Sequence, residues 1–136
     1  MPFVLDSSVA LAWLLPDEGS DAVDGLADRL EQDTASVPAI WALEVGNALL
    51  VAQRRGRIKD DELARLIAAL DSFPIEVDSE AAQSGLLQIV DLAKRLGLTT
   101  YDAAYVELAQ RRALALATLD SRLRSACAVL QVPVLP

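Results

Sequence analysis

Two short apolar runs, Phe3-Val4-Leu5 and the stretch 114–119, each close on an aspartate, Asp6 and Asp120, and each gives way at once to a helical pattern. A short run that is apolar on both faces reads as a fully buried strand. Buried strands alternating with helices make an α/β layer fold with a mostly parallel sheet. Ligands of such sheets bind beyond the carboxyl ends of the strands. Asp6 and Asp120 therefore stand on the edge where function is expected, provided their strands are neighbours.

The rest of the chain keeps the alternation. Strands are expected over 3–6, 35–37, 74–77, 113–119 and 132–135. Helices are expected over 7–15, 21–32, 39–55, 60–72, 79–96, 101–112 and 120–128, with Pro16, Gly56 and Gly97 as stops and Pro38 at a helix start. Leu63, Leu66, Ile67 and Leu70 form one apolar side, and Leu86, Ile89, Val90 and Ala93 another. The 136 residues, 53% apolar with few aromatics, suit one aliphatic-cored domain over 1–136 without repeat or linker. The apolar stretch 9–15 is far too short to span a bilayer and has no basic flank, so a soluble, cytoplasmic protein is expected.

Four acids stand where apolar side chains would be expected. Asp6 and Asp120 end strand-like runs, Asp102 opens a helix, and Glu44 lies inside the apolar pattern Ile40-Trp41-Ala42-Leu43-Glu44-Val45. Three have an ordinary structural explanation. Asp6 and Asp120 can cap the helices that follow them, and Thr99 with Asp102 fits a capping box. Glu44 is mid-helix, three residues from Trp41 and four from Ile40 and Ala48, where no cap is available. Carboxylates on core-facing elements are costly unless paired, protonated or bound to a cation. If the four converge, an all-oxygen site suits Mg²⁺ or Mn²⁺. Ser7, Ser8 and Thr118 are hydroxyl neighbours able to orient such a site.

Composition narrows the chemistry. There is no histidine and only one cysteine, Cys127, which removes an internal disulfide, a serine–histidine triad and an imidazole base, and makes a zinc site improbable. The net charge of −8 is unevenly spread. Residues 17–33 hold seven acids and one base, whereas residues 94–136 hold six bases and three acids, two of them Asp102 and Asp120. A further basic run spans 54–59. Local patches decide phosphate contact, and Arg54, Arg55, Arg57, Arg111 and Arg112 are the candidates.

At Val4-Leu5-Asp6-Ser7-Ser8, Glu44-Val45-Gly46-Asn47-Ala48-Leu49, Thr100-Tyr101-Asp102-Ala103-Ala104-Tyr105 and Ala117-Thr118-Leu119-Asp120, the chain resembles the PIN-domain family, and within it the VapC-like toxins of toxin–antitoxin pairs. The resemblance covers nearly the whole chain. It implies a three-layer PIN-like domain and a Mg²⁺- or Mn²⁺-dependent endoribonuclease that hydrolyses RNA by metal-activated water. Asp6, Glu44, Asp102 and Asp120 match the family's acidic quartet. Asp6 and Asp102 would be direct ligands, with Glu44 and Asp120 acting through water or at a second metal. Asn47 would be a supporting hydrogen-bonding group. The resemblance also implies a VapB-like antitoxin, a homodimer for which the apolar 101–116 region could serve, and promoter DNA met only through the antitoxin. Trp13, Leu14, Leu15 and Trp41 are candidate antitoxin contacts, with core packing the competing explanation.

Two other readings fit parts of the pattern. A phosphoaspartyl phosphatase or receiver also places an aspartate at a strand end. The phosphatase needs a second aspartate where this chain has Ser8, and a receiver needs a late lysine where none follows Lys94. A catalytically silent binding module would keep the fold without the chemistry.

Overall fold

The computed structural model describes residues 1–80 and 85–136. Five strands form one fully parallel sheet: β1 Phe3–Leu5, β2 Ala35–Pro38, β3 Ile75–Asp78, β4 Ala115–Ala117 and β5 Val134–Leu135, in the order β3-β2-β1-β4-β5. Around it, among the described residues, run seven α-helices: α1 Ser7–Leu14, α2 Asp21–Arg29, α3 Ile40–Arg54, α4 Asp60–Asp71, α5 Leu86–Leu96, α6 Thr100–Arg112 and α7 Ser121–Leu130. A 3₁₀ turn, Pro16–Glu18, follows α1, as the proline requires.

β1 is the middle strand because it is apolar throughout: Phe3, Val4 and Leu5 are all fully buried. The chain builds outward from β1 through β2 to β3, then crosses to the other side of β1 for β4 and β5. The order of strands therefore reverses between β1 and β4, and such a reversal opens a crevice at the carboxyl edge. The register pairs Leu5 with Ala117, so Asp6 and Thr118 are the next residues out on adjacent strands. The Asp6 amide donates to the Ala117 carbonyl at 3.0 Å, continuing the ladder by one bond.

Gly56 and Gly97 end α3 and α5 in left-handed backbone, at φ 75° and 67°, where a side chain would be strained. Pro38 closes β2 rather than opening α3, whose N-cap is Ala39. The helix expected over 79–96 is shorter: Ser79 and Glu80 are not helical, residues 81–84 lie outside the described part, and α5 starts at Leu86. Its inward face is also different. Leu92 and Ala93 are buried, whereas Leu86, Leu87 and Val90 are exposed. The stripes 86/89/90/93 and 89/92/93/96 share helical spacing, and only packing chooses between them.

The apolar 101–116 region is core, not a free face. Ala103, Tyr105, Val106, Leu108, Ala109, Leu114 and Leu116 are buried within the chain, and α6 lies across β1, β2 and β4. Trp41, Leu14 and Leu15 are buried as well. Trp13 is half-buried, donates through Nε1 to the Val23 carbonyl at 2.8 Å and packs against Phe73 with ring centroids 5.2 Å apart. These four side chains are spent on the fold. No helix among the described residues is long and apolar enough to cross a membrane.

Candidate functional site

Asp6 is the centre of the reversal crevice and is 4% exposed. Its backbone carbonyl accepts from Val9 at 3.2 Å and so begins α1, but its carboxylate caps no amide. That carboxylate takes hydroxyls instead. Oδ2 accepts from Ser8 and from Thr118, each at 2.7 Å, while Ser7 approaches Oδ1 at 3.4 Å. The two hydroxyls are held in turn by the β4–α7 loop: Ser8 Oγ accepts from the Leu119 amide at 3.0 Å and Thr118 Oγ1 from the Asp120 amide at 3.1 Å. With those lone pairs engaged, each hydroxyl proton is directed at Asp6 Oδ2. The loop that carries Asp120 is thereby locked to the strand end that carries Asp6.

Asp120 does cap its helix. Its Oδ1 accepts from the amides of Arg122 at 2.8 Å and Leu123 at 3.1 Å. Glu44 reaches inward from α3, and its Oε1 accepts the hydroxyl of Tyr105 on α6. Asp102 sits in the first turn of α6, where the Thr99 hydroxyl accepts its amide at 3.1 Å. That is one half of the expected capping box, with the threonine as cap.

The four acids sense one another electrostatically. Burial raises the Glu44 carboxyl above its ordinary value, Tyr105 opposes the shift, and Asp6 and Asp102 add to it. Burial likewise raises Asp102, with Asp120 and Asp6 adding and the Thr99 hydroxyl and Arg122 opposing. Like charges this close disfavour full ionisation. Among the described residues no three acidic side chains are already grouped tightly enough to hold one ion. The quartet is an open chain of neighbours. Such a donor set fits a small, hard divalent cation, which takes one or two carboxylates and keeps several waters. Among the described residues, Asp6, Glu44 and Asp120 each anchor one oxygen to the protein and leave the other with at most a long contact.

A PIN domain family model matches residues 3–129. The chain belongs to the PIN-domain family. Ribonuclease VapC3 of Pyrobaculum aerophilum is 30% identical over 133 residues, which cover 98% of this chain and 100% of that one. Ribonuclease VapC1 of Mycobacterium tuberculosis is 34% identical over 123 residues, 90% of this chain and 89% of that one. The crystal structure of PAE2754 from Pyrobaculum aerophilum superposes with a TM-score of 0.70 at 25% identity, covering 93% of this chain and 79% of that one.

Other side chains of this PIN domain fall away from the quartet. Asn47 is exposed one turn beyond Glu44 and makes no hydrogen bond among the described residues. Arg54 and Arg55 are exposed at the far end of α3, about 15 Å along the helix axis from Glu44. Arg57 grips both oxygens of Asp17 at 3.0 Å. Arg111 spends its guanidinium on Glu107, Asp78 and Glu80, and Arg112 binds Asp78 at 2.8 Å and Ser36 at 3.3 Å. Arg111 and Arg112 are thus engaged by the buried Asp78, whereas Arg57 is held only by an exposed pair, a contact that contributes little. Ser8 is a closer partner of Asp6 than Ser7. Tyr105 escaped the sequence reading as a site residue, although a tyrosine one turn beyond Asp102 in an apolar helix needs a buried partner for its hydroxyl.

Proposed function

We propose that this PIN domain is a divalent-metal-dependent endoribonuclease, the toxic component of a toxin–antitoxin pair. Its curated relatives named as VapC ribonucleases support the reaction class. The observation that carries the metal is the set of half-anchored carboxylates: Asp6, Glu44 and Asp120 are each fixed through one oxygen and open at the other, at the crevice between β1 and β4. When bound there, Mg²⁺ or Mn²⁺ supplies a lowered pKa for the attacking water and neutralises charge growing on the phosphoryl oxygens. Asp6 and Asp102 would hold the ion directly, with Glu44 and Asp120 reaching it through water or holding a second one. Ser8 and Thr118 keep the Asp6 carboxylate in one rotamer, so its open oxygen has a fixed position. Glu44 Oε2, on a carboxyl whose proton affinity is raised, is placed to accept a proton from a reacting water.

The test is cleavage of total RNA by purified, antitoxin-free protein. Activity should require Mg²⁺ or Mn²⁺, vanish on chelation, and fall by at least ~10²-fold in Asp6→Ala and Asp102→Ala, the scale of losing one preorganised electrostatic group. Undiminished activity in either variant overturns the site. A phosphoaspartyl enzyme is set aside by membership of the PIN family. The resemblance to VapC-like toxins further supports a VapB-like antitoxin as partner, with promoter DNA reached only through it. A helix-in-groove mode suits Leu43 and Leu50, two turns apart on α3, and Ile67 on the adjoining α4, all of them exposed.

A further inference from the structure

Between α5 and α7 lies an open groove of about 480 Å³ whose lining includes Arg95, Arg122, Ser121 and Ser125 and no acidic residue. In a chain of net charge −8, a groove with two arginines and no acid is a local reversal of sign. Its position matters as much as its charge. Arg122 follows Asp120 by two residues, and its amide is held by Asp120 Oδ1. Among the described residues its guanidinium forms no hydrogen bond or ion pair, and the Asp120 carboxylate that holds its amide is one of the four acids of the crevice. Arg95, on the opposite wall, meets only Asp91 at 3.6 Å across an exposed pair, the kind of contact worth little and readily exchanged. Ser121 and Ser125 are exposed one turn apart on α7, with hydroxyls available to donate. Leu98 and Val129 give the groove an apolar border, and its lining contains no aromatic ring.

We propose that this groove carries the sugar–phosphate backbone of a single RNA strand into the acidic crevice, with Arg122 and Arg95 as its phosphate contacts. The proposal rests on the ribonuclease reading and gives it a substrate path. Arginine and serine donors without an aromatic platform hold backbone and leave the bases unread, so this surface contributes affinity rather than sequence preference. It also leaves Arg111 and Arg112 to their buried partner Asp78, since among the described residues the guanidinium of Arg122 stands without a hydrogen bond or ion pair beside Asp120.

Arg95→Glu, Arg122→Glu and the double variant test this, with Arg65→Glu as a control of equal charge change on an exposed arginine of α4. Binding of a single-stranded oligoribonucleotide is read by fluorescence anisotropy across a salt series, cleavage by kcat and KM, and Mn²⁺ binding by calorimetry. Each groove variant should weaken RNA binding and raise KM by roughly three- to tenfold and flatten the salt dependence by about one unit of slope, as loss of a phosphate contact does. Mn²⁺ affinity should not fall in any of them, and Arg65→Glu should match wild type. RNA affinity and KM that do not move in the double variant overturn the groove, and so does an equal loss in Arg65→Glu. Wild-type protein that binds RNA through these arginines but shows no metal-dependent cleavage would instead remove the ribonuclease reading and leave the groove standing.

Discussion

Tyr105 is fully buried and its hydroxyl has one acidic partner, Glu44 Oε1, with Ser7 close by. Burial, the bond to Glu44 and the charge of Asp6 all push its ionisation well above the ordinary tyrosine range, so it remains a donor at any working pH. It therefore fixes one oxygen of Glu44 in place. Tyr105→Phe keeps the ring in the core and deletes only that donor. A hydrogen bond to a charged group contributes about 1.5–3 kcal/mol to stability, so the urea midpoint should fall by a matching amount, and kcat should fall about tenfold or more as Glu44 loses its anchor. An unchanged kcat would show that Glu44 needs no such anchor. The four acids were legible in the sequence because a carboxylate amid apolar residues is costly wherever it lands. Tyr105 was not, because an aromatic in an apolar helix is indistinguishable from core until its hydroxyl partner, sixty-one residues away, is known. Asp6 and Asp120 look alike in sequence, each between a strand and a helix. Only three-dimensional neighbours make one bind hydroxyls and the other cap a helix.

Helix α6 works at both ends. Its first turns carry Asp102 and Tyr105, and its last turn is clamped to the sheet by Arg111 and Arg112 around Asp78, the final residue of β3. The Asp78 side chain is 1% exposed and accepts from Arg111 at 2.6 Å and Arg112 at 2.8 Å, and Glu107 closes the cluster one turn back at 2.7 Å from Arg111. Removing one member of a buried ionic cluster strands the others, typically at about 3–5 kcal/mol. Asp78→Ala should therefore lose that much stability in urea unfolding and release Arg111 and Arg112, whereas Arg65→Ala, which breaks only the exposed pair with Asp61, should change it by less than about 0.5 kcal/mol. Equal losses in the two variants would sink the clamp. The basic pair at 111–112 was visible in the sequence, but its carboxylate partner comes from a strand more than thirty residues earlier. The same limit applies to α5. Periodicity offered two apolar stripes a turn apart, and the choice between them belongs to the neighbour α6, not to the helix itself.

At the scale of the molecule, the parallel sheet sets Asp6 and Asp120 at its carboxyl edge, and α3 and α6 bring Glu44 and Asp102 close enough to repel them, so the fold carries a charge cost that a cation would remove. The alternation of strands and helices made the sheet and its functional edge legible, but strand order, and hence the reversal between β1 and β4 that brings Asp6 to Thr118, is a property of tertiary packing alone. The cost has a sign that can be measured. The carboxyls of Glu44 and Asp102 are raised in the folded protein above their ordinary values of 4.5 and 3.8. Between the ordinary and the raised values the folded chain binds more protons than the unfolded one, so stability from these groups is complete below the ordinary values and is lost as pH rises through the raised ones. Glu44→Gln removes one of the two titrations. In chelator, its Tm should exceed that of wild type at about pH 7.5, and the difference should shrink toward zero or reverse as pH falls below the ordinary carboxyl value of 4.5. Saturating Mg²⁺ should work the other way at neutral pH: a ligand at about 100 times its Kd stabilises the fold by about 2.7 kcal/mol, and wild type should gain more than Glu44→Gln and far more than Asp6→Asn. If the Tm of Glu44→Gln tracks wild type at every pH and the three proteins respond alike to Mg²⁺, the acids do not share a cation, and the crevice is an acidic edge without the chemistry assigned to it.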